Sequence, residues 1–174
     1  TRCSRDWSSD VCSSDLTMTD LPIAQIVHRK GQWHGTAMTC ELDYTERFLR
    51  RKRLTTVSGA AFVVDLAQTT SLDDGDALEL DTGVLVQIAA RDEALYKISG
   101  DSLVRLAWHV GNRHTPCQIT DKFLLIQADP VIGHMLEHLG ATVEQITAPF
   151  TPEGGAYGHG RTHSHEHVAT AHDH

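Results

Sequence analysis

The sequence predicts an α+β protein: a small all-β domain, then a domain in which two helices interleave with four strands, then a tail crowded with histidine. Three observations carry this. From Leu21 to Ala90, apolar and β-branched residues come in short runs or alternate, with aspartate–glycine turns between them. After Arg91, two stretches adopt the i, i+3, i+4 spacing of amphipathic helices. After Phe150 the core-forming residues stop, and six of the chain's 12 histidines fall beyond Tyr157.

The first domain, residues 18–91, opens with Ile23, Gln25, Ile26 and Val27 in an extended segment. Leu54 to Val57 and Ala61 to Leu66 are further strand runs, bounded by Ser58-Gly59 and by Thr69 to Ser71. Asp74-Gly75 and Asp81-Thr82-Gly83 read as turns. Val84, Val86 and Ile88 then alternate as a half-buried strand should. About 70 residues of this kind are expected to form a half-barrel or sandwich.

The second domain, residues 92–150, begins with a strand from Ala94 to Ile98. Asp101 can cap a helix with the apolar face Leu103, Leu106, Ala107 and Val110, and Gly111 is a suitable stop. Gln118 to Thr120 and Phe123 to Gln127 read as strands joined at Asp121-Lys122. Asp129 caps a second helix with Pro130 at its first position, where the missing N–H costs nothing. Ile132, Met135, Leu136 and Leu139 form its core stripe, Gly140 ends it, and Thr142 to Ile146 is the last strand. The order β-α-β-β-α-β is that of the ferredoxin-like split unit.

Two segments are expected to stand outside these domains. Residues 1–17 are rich in serine and aspartate, lack any period, and read as a non-native or disordered leader ahead of Met18. Residues 151–174 are rich in glycine and histidine and bury too little apolar surface to offset their ordering entropy, so a flexible tail is expected.

Composition narrows the function. The balance of 15 basic and 23 acidic residues gives a formal charge of −8, which argues against nucleic acid or an anionic membrane as the main partner. The basic run from Arg47 to Arg53 reads as a solvated or partner-facing patch. No stretch approaches the ~20 apolar residues that span a bilayer, and a cytoplasmic protein is expected. Cys3, Cys12, Cys40 and Cys117 form no CxxC pair, so neither a zinc ribbon nor a disulfide framework is indicated.

The histidines carry the chemistry. His163, His165 and His167 occupy alternate positions, so in an extended chain their imidazoles share a face and can converge on one ion. His159, His172 and His174 extend the set, with Glu166 and Asp173 as oxygen donors. Neutral imidazole suits nickel, copper and zinc. His114 lies just past the first helix, before Thr115-Pro116; by position alone it reads more readily as structural than as ligating. His109, His134 and His138 read as solvated, and Cys117 as a small core residue.

WHVGNRHTPCQI, LLIQADPVIGHMLEHLGATV and APFTPEGGAYGHGRTHSH together resemble the urease accessory protein E (UreE) family of nickel metallochaperones, across Met18 to His174. The resemblance implies a β domain with peptide- or partner-binding character joined to a ferredoxin-like metal-binding and dimerisation domain. It also implies that His114, the histidine of GNRH, binds nickel at a homodimer interface. The expected partners are the urease apoprotein complex and its accessory proteins, especially the urease accessory GTPase. The chain departs from some relatives that carry His-Asp-His before the second helix, because Ala128-Asp129-Pro130 stands there. The implied function is delivery of Ni(II), as cargo, to the urease metallocentre, with zinc or copper able to occupy the same ligands. A histidine-rich metal store without a dedicated client is the other reading. A metalloenzyme would need fixed ligands beside a general base, and no HExxH or comparable motif occurs.

Overall fold

A computed structural model of the chain describes residues 21–154. The leader read at 1–17 and all six tail histidines lie outside the described residues. The fold is mostly β with two helices: an N-terminal β domain and a C-terminal α+β region.

Six strands build the first part: β1 (Ile23–His28), β2 (Ala37–Leu42), β3 (Phe48–Thr55), β4 (Ala61–Ser71), β5 (Ala77–Leu80) and β6 (Leu85–Ala90). They form one mixed sheet in the order β2-β6-β5-β1-β4-β3, with β1 parallel to β4 and β2 parallel to β6. The sheet curls until its edges approach each other. Val57 N donates to Thr39 O at 2.8 Å, and the Cys40 thiol reaches Thr55 O at 3.4 Å. Phe62, Val64, Leu72, Leu78, Val86 and Ile88 fill the enclosed space.

The expected strand runs and turns appear here, with differences of extent. β4 continues through Thr69 to Ser71, because β3 pairs with it as far as Ser71. Val57 lies in a turn and Val84 just ahead of β6, and both are exposed. Strand β2 was not singled out in the sequence. One buried polar group organises the β4–β5 turn: the Asp76 carboxylate accepts from Lys30 N, Asp73 N and Arg29 Nη1 at 2.9, 3.0 and 2.6 Å. Three charge-assisted bonds compensate its removal from water.

The second part contains β7 (Asp92–Ser99), α1 (Leu103–Gly111), β8 (Gln118–Ile119), β9 (Leu124–Gln127), α2 (Pro130–His138) and β10 (Thr142–Pro149). Its sheet order is β10-β7-β9-β8, and every neighbouring pair is antiparallel. Alternation sorts the strand side chains between two faces. Ile98, Leu124 and Ile126 meet Leu106 and Val110 of α1 and Leu136 of α2, so both helices cover one face. Leu95, Leu125 and Phe150 line the opposite face, against Tyr44 from the first part. Leu124, Leu125 and Ile126 are therefore all buried.

The second helix matches its sequence signals: Asp129 Oδ1 accepts from Val131 N and Ile132 N, and Pro130 opens the helix. The first does not. Its N-cap is Ser102 rather than Asp101, with no side-chain capping bond, and Gly111 is still helical. The basic run is also corrected at one end. Arg47 is buried, donates to the carbonyls of Asp43 and Phe150, and lies over the Tyr44 ring, 5.6 Å from its centroid. Arg47 thereby ties the two parts together, as does Tyr44 N donating to Glu93 Oε1 at 2.8 Å. Arg50, Arg51, Lys52 and Arg53 remain exposed.

Candidate metal centre

Of the sequence's candidate ligands, His114 is the one the structure describes. It lies three residues beyond the end of α1 and is solvent-exposed. Its φ of 55° is the sole positive value at a non-glycine among the described residues.

The reason is the way the helix ends. Thr115 N donates to Val110 O at 3.4 Å and His114 N to Gly111 O at 2.9 Å. This is the Schellman pattern, whose pivotal residue must be left-handed and is usually glycine. Helix α2 ends in the same way: Ala141 N donates to Leu136 O at 3.0 Å and Gly140 N to Glu137 O at 2.9 Å. There the pivotal residue is Gly140, with φ 86°. Two helices thus share one terminating motif, one with glycine at its centre and the other with histidine. A side chain at such a position costs on the order of 1 kcal/mol.

The surroundings suit a cation. The C-terminal end of a helix carries partial negative charge, which favours a cation. Pro116 follows and holds Thr115 away from helical backbone. On α1 itself, Val104 and Trp108 are 84% and 62% exposed and lie four residues apart, on one side of the helix. His109 is half-buried rather than fully solvated, with its ring edge-on to Trp108 at 4.9 Å. Arg113 Nη1 returns to His109 O at 3.3 Å.

Cys117, the nearest thiol in sequence, is half-buried against the helix-covered core. Burial first, and Glu153 second, push its thiol up to about 11. A metal would have to displace that proton to bind the sulfur. Among the described residues, no three His, Cys, Asp or Glu side chains gather into a group that could hold a metal ion. His114 therefore stands outside any such group among the described residues. His159, His163, His165, His167, His172 and His174 all lie outside the described residues. The left-handed setting of His114 was missed in the sequence. Gly111 drew the helix stop to itself, although the GNRH spacing places the histidine where a pivotal glycine would stand.

Residues 23–91 match the UreE urease accessory protein, N-terminal domain, and residues 93–174 match the C-terminal domain of the same family. The chain is 56% identical over 148 residues to the urease accessory protein UreE of Ruegeria pomeroyi, covering 85% of this chain and 99% of that protein. It is 54% identical over 151 residues to the UreE of Cereibacter sphaeroides, covering 86% and 82%. It is 46% identical over 138 residues to that of Azorhizobium caulinodans, covering 74% and 66%. These matches define a class: an accessory chaperone of enzyme assembly, and not an enzyme. Within that class the chain belongs to the urease accessory protein UreE family.

Proposed function

We propose that this protein is a nickel metallochaperone that delivers Ni(II) to the urease metallocentre, with His114 as its anchoring ligand. The observation that carries the reading is the exposed imidazole at a left-handed position where the second helix keeps glycine. Strain retained at an exposed residue points to function, because packing does not require it.

A single nitrogen is too little for a metal that takes four to six ligands, so the site is shared. A two-fold axis beside His114 brings a second His114 from a homodimer partner. The exposed Val104 and Trp108 on the same helix are an apolar surface that such a contact would cover. The strand order β10-β7-β9-β8 with both helices on one face supports the ferredoxin-like reading of residues 92–150 as the dimerising domain. Residues 18–91 are the partner-facing β domain. The tail residues His159, His163, His165, His167, His172 and His174, being part of the same chain, complete the shell at high effective concentration. Neutral imidazole is the binding form, so acid releases the cargo. Zinc and copper can take the same ligands, and selectivity for nickel then rests on geometry and supply. The partners are the urease apoprotein complex and its accessory GTPase, in the cytoplasm. Among the described residues no helix is long and apolar enough to cross a membrane.

The test is calorimetric nickel titration with sedimentation, on the full chain, the His114→Ala variant and a chain ending at Tyr157. His114→Ala removes the tightest site and metal-promoted dimerisation. The shortened chain binds fewer ions but keeps the bridging site. Undiminished tight binding in His114→Ala would overturn the assignment.

A further inference from the structure

We infer that helix α2 carries a second site for a divalent d-block cation, formed by His134 and His138. The two histidines are four residues apart, on the solvent side of α2, opposite the buried Gly133 and Leu136. Their rings are neighbours, with centroids 4.3 Å apart and planes at 72°. Two imidazoles at i and i+4 on one helix face are a bidentate nitrogen chelate, already arranged by the backbone.

The ring environments point the same way. His138 Nδ1 lies 3.0 Å from the His134 carbonyl oxygen, so it donates there and keeps its proton on Nδ1. The lone pair of His138 is then on Nε2. His134 Nδ1 lies 3.9 Å from Glu137 Oε2, beyond hydrogen-bond reach. The His138 ring is thus biased to the tautomer whose Nε2 is free to bind metal. Fixing Nδ1–H on a carbonyl or carboxylate is how protein scaffolds orient a ligating imidazole. His134 and Glu137 are 73% and 58% exposed, so a hydrated ion reaches the site without rearranging the fold. Water molecules fill the remaining positions.

Two imidazole nitrogens favour Ni(II), Cu(II) or Zn(II) over Mg(II) or Ca(II), which prefer all-oxygen shells. Alone among the candidate metal sites, this one needs neither a second subunit nor residues beyond Gly154. It stands independently of the role proposed for His114. Gly133 supports it indirectly. A Cβ there would meet the Tyr96 ring at 2.8 Å, so the absent side chain lets α2 lie close to β7 with the histidine face outward.

The experiment is imidazole footprinting of the full chain with diethylpyrocarbonate during titration with nickel sulfate, each histidine being read by mass spectrometry. Nickel should protect His134 and His138 together, with one shared midpoint, whereas magnesium sulfate should protect neither. In His138→Gln the midpoint for protecting His134 should rise roughly 100-fold, the gain from a second tethered ligand being lost, while the midpoint for His114 stays in place. His134 and His138 fully modified at saturating nickel would overturn the inference. So would unrelated midpoints for the two, or an unmoved His134 midpoint in His138→Gln. An unprotected His114 beside a protected pair on α2 would count against the proposed function and leave this site standing.

Discussion

Replacing His114 by glycine should make the protein more stable and less able to hold nickel at the same time. The imidazole is exposed, and its backbone is left-handed at φ 55°. Relief of the contact between Cβ and backbone favours the folded state by about 1–2 kcal/mol. Glycine also loosens the unfolded chain, which takes back about 0.4–1 kcal/mol. The net is a gain of about 0.5–1 kcal/mol. For a chain of this size that raises Tm by roughly 1–4 °C. His114→Ala keeps the Cβ and should stay within about 0.5 kcal/mol of the parent. Gly140→Ala is the reverse experiment in the same motif. Nothing lies within 4 Å of the added Cβ, so its cost, about 1 kcal/mol or more, comes from the backbone alone. Urea and thermal melts of metal-free protein in chelator give the stabilities, and calorimetry gives the nickel sites. His114→Gly melting below His114→Ala would refute the strain argument, and tight nickel binding surviving in either would refute the ligand role.

Three further outcomes follow from the packing. Gly133→Ala gains about 1 kcal/mol of helix propensity but brings a methyl to 2.8 Å from the Tyr96 ring, inside the helix-covered core. Overpacking of about 1–3 kcal/mol wins, so denaturant melts should show net destabilisation that shrinks or reverses in a Tyr96→Leu background. Asp76→Ala strands the N–H groups of Lys30 and Asp73 and leaves Arg29 without its closest carboxylate. A loss of about 3–5 kcal/mol is expected, and a loss below ~1 kcal/mol would contradict the assigned network. Cys40 and Cys117 both have thiols pushed from 9.0 up to about 11, in each case mainly by burial. The folded state then holds protons that the unfolded chain releases, so their contribution is full below pH 9 and declines as pH rises towards 11. Urea melts across that window should steepen this decline in the parent relative to Cys40→Ala/Cys117→Ala, and parallel curves would show that the thiols do not contribute.

What the sequence determined by itself is what neighbouring residues decide. Asp129, Pro130 and Gly140 start and stop α2 through bonds made within a few residues, and the stripe Ile132, Met135, Leu136, Leu139 names its buried side. The alternation of Val86 and Ile88 and the chain order of elements after Arg91 were legible for the same reason. The GNRH segment, with PEGGAYG and the tail, carried the family. Tertiary structure alone decided the rest. AMTCEL became β2 because β6 offered it a parallel edge, which no local propensity announces. Arg47, at one end of a basic run, went inside because the Phe150 carbonyl, 103 residues away, and the Tyr44 ring compensate its charge. Glycine at 111 was a plausible helix stop, yet the chain continued three residues further and placed a histidine at the left-handed pivot. Caps and periodicity are short-range and leave their mark in the order of residues. Strand pairing and the burial of a charge depend on groups far apart in the chain, which only the folded molecule brings together.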